Sequence, residues 1–387
     1  MHKHLSKRPN LLIVSATPMR FSKDVGHEAF EPVVREIENM KHLFKNITWI
    51  GYNYNNDLSR SNLRKIHSNK VNYILLEQTG GSRLFDKLNI IMKIIPYFSI
   101  ILKEIIKNDI IHTRAPSFPA FLAIIASLFL NKKRYWHKYA GNWAQKNSPF
   151  SYSIQRWLLN MDFGNSNVTI NGSWPNQKQH LLSFENPCLT ETELESAKII
   201  AEQKDYSGKL NICFVGRLEP AKGALIILEL LQNLEDVDWV DTFYIIGDGP
   251  SKNIIENKKP NLHLKVCLTG WLLREQLNEI YTKCHLIILP SYASEGFPKV
   301  LAEAASYGCV PIVSNLSSIS QYINNNISGV LIDDLTPSNI KSVLSKLSNK
   351  REELMSMASS ALKWVSLFTY SRYVFRIEKE IINEYNK

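Results

Sequence analysis

Two glutamates, Glu295 and Glu303, bracket a short turn that also carries Gly296, Phe297, Pro298 and Lys299. Carboxylates accept hydrogen bonds and can hold sugar hydroxyls. The same pair also fits a plainer role, one acid capping a helix and the other on its solvated face, and spacing alone leaves both readings open. Lys299 falls in the first turn of the helix expected here, where a cation opposes the helix dipole unless an anion lies against it. A second group has the same character. In F-V-G-R-L-E-P-A-K-G, residues 214–223, Arg217 stands at the end of an apolar run and Lys222 near the start of the next helix. One such corner would favour a surface charge. Two, each with a cation set against a helix start, favour a shared diphosphate.

The elements that must place these residues follow from the apolar pattern. Residues 286–289 are a continuous apolar run, as expected of a strand buried on both faces. Pro290 ends it, Gly296 allows close backbone approach, Pro298 suits the first turn of a helix over 299–307, and Gly308 suits its C-terminal cap. Likewise a strand over 210–215 feeds a turn and a helix over 221–234. Further strands are expected at 242–246, 264–268, 310–314 and 329–332, with helices at 275–283, 337–347 and 352–367. The first half alternates in the same way. Its strands are expected at 11–16, 47–52, 72–77, 110–113, 134–139 and 168–171, and its helices at 28–44, 88–107 with an interruption near Pro96, 116–130 and 150–160. Such βαβα order predicts parallel sheets with helices on both faces. The polar stretch 185–209, with Pro187 and Gly208, marks a domain boundary near residue 187.

E-G-F-P-K-V-L-A-E, with L-P-S before it, resembles the E-x7-E signature of retaining GT-B glycosyltransferases of the family-4 type. G-R-L-E-P-A-K-G resembles the same family's diphosphate-binding element. The resemblance implies an α/β chain of GT-B architecture: two Rossmann-like doubly wound domains facing across a cleft. Residues 1–186, joined by a C-terminal helix over 370–387, would bind the acceptor, and residues 187–369 the nucleotide-sugar donor. By resemblance Glu295 contacts the donor sugar, Glu303 the nucleotide ribose, and Gly296, Phe297, Pro298 and Lys299 the diphosphate and sugar hydroxyls. Arg217 and Lys222 then meet the diphosphate, with Gly216 beside them. Gly247 in I-I-G-D-G-P resembles the loop beside the nucleotide, although a tight turn explains it equally. Gly270 and Trp271 in L-T-G-W resemble the loop at the base, although a half-buried core tryptophan fits as well. The implied activity is a hexosyl transfer from a UDP- or GDP-sugar to a glycan or lipid-linked acceptor in surface polysaccharide synthesis. The nucleotide-sugar is a substrate, and no cofactor or metal is expected, since the family that the motifs resemble generally needs no bound metal for donor binding.

The first half is less explicit. Gly26 matches the family's glycine-bearing loop only in part, there being no Gly-Gly pair. His112 in D-I-I-H-T-R-A-P and His137 and Gly141 in W-H-K-Y-A-G-N-W are acceptor-side candidates; a structural histidine is the competing reading for the first, and Ala140 stands where the family often has His. No Ser-His-Asp or Cys-His arrangement supplies a nucleophile.

Length and composition agree with two ordinary domains in 387 residues. The five cysteines lack metal spacing and read as buried thiols in a reducing compartment. The opening MHKHLSKRPNLLIVSATP is not a signal peptide, and 118–130 is too short to span a bilayer, so the cytoplasm is the expected location. A net charge of +10 is compatible with phosphorylated substrates, an anionic membrane face or nucleic acid, but no nucleic-acid motif is present. The apolar helices at 88–107 and 118–130, with Lys87, Lys93, Lys103 and Lys107, fit either packing on the sheet or a peripheral seat on an anionic inner membrane. The rival readings are a GT-B nucleotide-sugar epimerase and a non-catalytic basic protein that binds membrane surfaces or nucleic acid. A dehydrogenase is disfavoured because no strand is followed by G-x-G-x-x-G.

Overall fold

The computed structural model describes residues 8–54, 62–80, 84–162, 165–234, 238–259, 262–293 and 295–383, without the side chains of residues 84–87. The first seven residues, the Lys87 side chain and the last residues of the helix expected over 370–387 therefore lie outside the described residues. The chain divides into two compact units. One comprises residues 1–185 and 371–387, the other residues 186–370.

The first unit is built on β1 (Leu11–Ser22), β2 (Gly26–Phe30), β3 (Ile47–Asn53), β4 (Leu63–Lys65), β5 (Val71–Leu76), β6 (Ile110–Ala115), β7 (Arg134–Tyr139), β8 (Ser166–Ile170) and β9 (Leu181–Ser183). The parallel part runs β5-β3-β1-β6-β7-β8-β9. Helix α1 (Glu31–Met40) covers one face together with Tyr373, Ile377 and Ile381 of the C-terminal segment. Helices α2 (Leu84–Lys107), α3 (Phe118–Phe129) and α4 (Phe150–Asn160) cover the other.

Three sequence expectations are corrected here. The sheet is not purely parallel: β1 runs on to Ser22 and turns back into β2, which pairs antiparallel with β1 and β4. Gly26 therefore sits in a hairpin, at φ +85°, and the helix expected from residue 28 starts at Glu31 with Pro32 in its first turn. Helix α2 runs through Pro96 without a break.

The second unit holds α5 (Glu191–Glu202), β10 (Leu210–Val215), α6 (Ala224–Gln232), β11 (Val240–Ile246), α7 (Lys252–Lys258), β12 (Lys265–Gly270), α8 (Arg274–Lys283), β13 (Leu286–Leu289), α9 (Lys299–Ser306), β14 (Val310–Ser314), β15 (Val330–Ile332), α10 (Pro337–Ser348) and α11 (Arg351–Val365). Its sheet is wholly parallel, in the order β12-β11-β10-β13-β14-β15. All four residues of β13 are buried, which explains its unbroken apolar run. The order places β10 beside β13, where the winding of the sheet reverses. Doubly wound sheets bind ligands outside the carboxyl ends of the strands at that reversal. Helix α12 (Tyr370–Arg376) and the π-helical turn Ile377–Asn383 follow, in the first unit from residue 371 onward.

Candidate active site

The loops after β10 and β13 are stitched to one another. The Tyr292 amide donates to the Ala221 carbonyl at 2.9 Å, and the Ser291 hydroxyl donates to the same oxygen at 3.2 Å. Gly223 has φ +82°, and a Cβ there would come within 2.3 Å of the Pro290 carbonyl oxygen. Only glycine lets the two corners approach this closely. This contact corrects the helix expected from 221. Pro220–Lys222 is a separate 3-10 turn, Gly223 ends it in the left-handed region, and α6 begins at Ala224. Lys222 thus points from a turn, not from the first turn of a long helix. Its ammonium forms an ion pair with the Glu295 carboxylate of the other corner. Burial pushes the ammonium down to about 8; Glu219 opposes that fall and Arg217 adds to it. Contact with the Glu295 carboxylate also favours the charged form.

The row of strand ends continues on the other side. The Gly216 amide donates to the Ile246 carbonyl at 3.0 Å and the Gly247 amide to the Gly270 carbonyl at 2.9 Å. At Gly247, φ +138°, an added Cβ would lie 1.9 Å from the Gly216 carbonyl oxygen. Gly216, Gly247 and Gly270 thus form one backbone ledge across β10, β11 and β12. Trp271, next to the ledge, is 40% exposed, so it is not a core residue. The Arg217 side chain is 65% exposed and lies 3.5 Å from Glu219.

In the turn between the two glutamates, the residues divide by direction. Gly296 is buried, and its carbonyl accepts from the Ser318 hydroxyl at 3.0 Å. The Phe297 ring is 4% exposed and stacks on Phe368 with centroids 4.4 Å apart. Its side chain is a core anchor, so only its backbone is available to a ligand. Pro298 occupies the N-cap of α9 and not its first turn. No side chain caps the helix and no acid lies in that first turn, where Lys299 is the first residue. The amides at such an uncapped start suit an anion.

Glu303 follows in α9, its side chain only 10% exposed, and it forms an ion pair with Arg274 at the start of α8. Burial opposes the Arg274 charge, but Glu303 outweighs it and holds the guanidinium firmly protonated. Sequence reading missed Arg274. The available signal was the one used for Lys222 and Lys299, a cation at a helix start.

The first unit places its candidates differently. His112 and His137 lie on neighbouring strands but are enclosed. His112 is 0% exposed, stacked on Trp136 at 3.7 Å, with Nδ1 3.0 Å from the Trp136 carbonyl. His137 is 2% exposed, with Nδ1 2.8 Å from the Thr113 hydroxyl. Burial pushes His137 down to about 3 and His112 well below its ordinary value, so both imidazoles are neutral at neutral pH. Gly141 is buried against the Tyr139 ring, and Gly26 lies in the hairpin. A buried charge cluster that the sequence did not reveal lies near the carboxyl ends of β6 and β7. Lys138 Nζ is 3.0 Å from both oxygens of Glu36, Arg114 is 2.8 Å from the same carboxylate, and the Tyr373 hydroxyl donates to it at 2.8 Å. Among the described residues, no group of three or more His, Cys, Asp or Glu could hold a metal ion.

Residues 195–364 match the family model for glycosyl transferases group 1. That match lies wholly in the second unit and covers less than half of the chain. The chain is 32% identical over 124 residues to UDP-Gal:alpha-D-GlcNAc-diphosphoundecaprenol alpha-1,3-galactosyltransferase of Escherichia coli, covering 31% of each chain. It spans about a third of the length of the first curated relatives it matches, 37% and 31%. Solved structures align along nearly all of it. A glycosyltransferase from Rickettsia africae superposes with TM-score 0.60 at 19% identity, covering 97% of this chain and 99% of that one. Anabaena HepE in complex with UDP-glucose superposes with TM-score 0.63 at 13% identity, covering 98% and 99%. The fold is GT-B, with two α/β units each built on a largely parallel sheet.

Proposed function

We propose that this protein is a retaining glycosyltransferase that moves a sugar from a UDP- or GDP-sugar to a glycan or lipid-linked acceptor in surface polysaccharide synthesis. The observation that carries the reading is the joined pair of corners at the reversal of the second sheet. There Lys222 and Glu295 meet, the start of α9 stands uncapped, and the ledge of Gly216, Gly247 and Gly270 runs alongside. In this reading the uncapped amides, Lys222 and Arg217 hold the diphosphate. Glu295 turns its carboxylate to the sugar hydroxyls, and Glu303 holds the ribose. As the sugar C1–O bond breaks, negative charge builds on the departing diphosphate. Cations and amides placed in advance stabilise that charge most in the transition state. Each charge-assisted contact is worth about 1.5–3 kcal/mol. The retaining course rests on the E-x7-E resemblance. The acceptor class is supported by the Escherichia coli relative, whose name specifies a diphosphoundecaprenol-linked substrate, and the donor class by that relative and by HepE, crystallised with UDP-glucose. The first unit would take the acceptor.

A peripheral seat on an anionic membrane belongs to the same proposal. No helix of the described residues is long and apolar enough to cross a membrane. Helix α2 nevertheless exposes Leu88, Ile91, Met92 and Ile95 at helical spacing, while Tyr97, Ile101 and Ile105 pack inward. Such a stripe lies well in a bilayer interface.

The test is a screen of nucleotide sugars with released nucleotide as the readout. Release of UDP or GDP from one donor, accelerated by a lipid-linked or glycan acceptor, is expected. Absence of turnover across the panel, together with no binding of UDP or GDP, would overturn the reading.

A further inference from the structure

We propose that Arg274 is a positioning residue: it aims the Glu303 carboxylate at the nucleotide and ties that carboxylate to the segments by which the chain enters and leaves the second unit. The inference rests on the donor-site reading above and deepens it. The Arg274 guanidinium is held from three sides. Nη1 pairs with Glu303, Nη2 donates to the Cys188 carbonyl at 3.2 Å, and Nε lies 3.9 Å from Glu193 of α5. Cys188 is itself fastened to the returning chain. Its amide donates to the Phe368 carbonyl at 2.9 Å, and the Tyr370 amide donates to the Leu189 carbonyl at 2.8 Å. These residues lie within a few positions of the two places, 185/186 and 370/371, where the chain passes between units. One planar fork thus joins the carboxylate proposed for the ribose to both passages.

A purely structural role explains the position poorly. Arg274 is the first residue of α8, where its charge opposes the helix dipole, and a buried ion pair is weak evidence of stability. Positioning explains it. A carboxylate gripped through one oxygen by a rigid guanidinium has its other oxygen fixed in direction, and lysine cannot reproduce that fork.

The experiment compares the full-length wild type with Arg274→Lys and with the double variant Arg274→Gln, Glu303→Gln, which leaves no unpaired buried charge. Binding of UDP and GDP is measured by calorimetry, and hydrogen exchange is followed at the Leu189 and Tyr370 amides with and without saturating nucleotide. In the wild type, nucleotide should slow exchange at both amides. Arg274→Lys should bind at least ~10-fold more weakly and lose that slowing at saturation. The double variant should melt near the wild type and also lack the slowing, which separates positioning from loss of fold. Wild-type affinity in Arg274→Lys, or slowing that persists in either variant, would overturn the inference and leave the donor site standing. Failure of the wild type to bind either nucleotide would overturn the donor site, and this inference with it.

Discussion

Lys222 carries more of the proposed chemistry than any other side chain, and its surroundings predict how. Its ammonium is enclosed and paired with Glu295, whereas Arg217 is largely solvated. Charges screened by water contribute less. Lys222→Ala should therefore lower kcat by ~10²–10³-fold, in the range seen when one donor to a developing oxyanion is removed, and Arg217→Ala by clearly less. Steady-state kinetics on the productive donor decides the order, and a reversed order would move the diphosphate toward Arg217. The same enclosure gives a pH signature. A diphosphate prefers the protonated lysine, whose pKa is pushed down to about 8, so donor affinity should fall as pH rises through that value. Lys222→Arg should flatten the fall, because a guanidinium stays charged. A pH-independent dissociation constant in the wild type would contradict the assignment. The histidines predict the opposite. His137 is neutral and sealed, so His137→Gln should act on stability, not on the pH profile of turnover.

Among the elements, the joining of the two corners depends on Gly223, whose role the sequence alone does not reveal. Gly223→Ala would force a Cβ against the Pro290 carbonyl in a backbone conformation alanine rarely adopts. It should separate the corners and cost donor affinity more than melting temperature; calorimetry beside thermal unfolding checks this, and unchanged affinity would show that the corners need not touch. Short strands such as Leu286–Leu289 were legible because burial on both faces leaves a continuous apolar run. Strand β2 was not. Its Gly-His-Glu-Ala-Phe carries no strand signal, and pairing with β1 and β4 overrides local preference. The 3-10 turn before Gly223 was hidden for the same kind of reason, since only contact with Pro290 calls for it. The E-x7-E and G-R-x4-K-G groups were readable as two strand-to-helix corners, and the structure joins them through Lys222 and Glu295. Arg274 shows in the sequence only as a cation at a helix start, and its pairing with Glu303, which lies in a different helix, is visible only in the fold. The stripe on α2 gives a further test. Ile91→Ser with Ile95→Ser should reduce sedimentation with anionic phosphatidylglycerol vesicles while leaving donor hydrolysis in solution unchanged, and undiminished binding would place the membrane contact elsewhere.

For the whole molecule, the two units repeat one strand order, yet their charged residues do different work. In the first, Glu36, Arg114, Lys138 and Tyr373 form a buried cluster that fastens the C-terminal segment to the sheet. Tyr373→Phe removes one hydroxyl from it and should cost about 0.5–1.5 kcal/mol of stability in that unit, with nucleotide affinity unchanged. Chemical unfolding with and without nucleotide distinguishes the two effects. In the second unit the charges gather at the reversal of the sheet, where Lys222 and Glu295 meet. The net charge of +10 adds a general attraction for anionic substrates and surfaces without selecting among them. The most direct measurement is therefore the rate of nucleotide release from the productive donor, compared between the wild type and Lys222→Ala at equal melting temperature. The account predicts a loss of at least ~100-fold. Equal rates in the two proteins would contradict it.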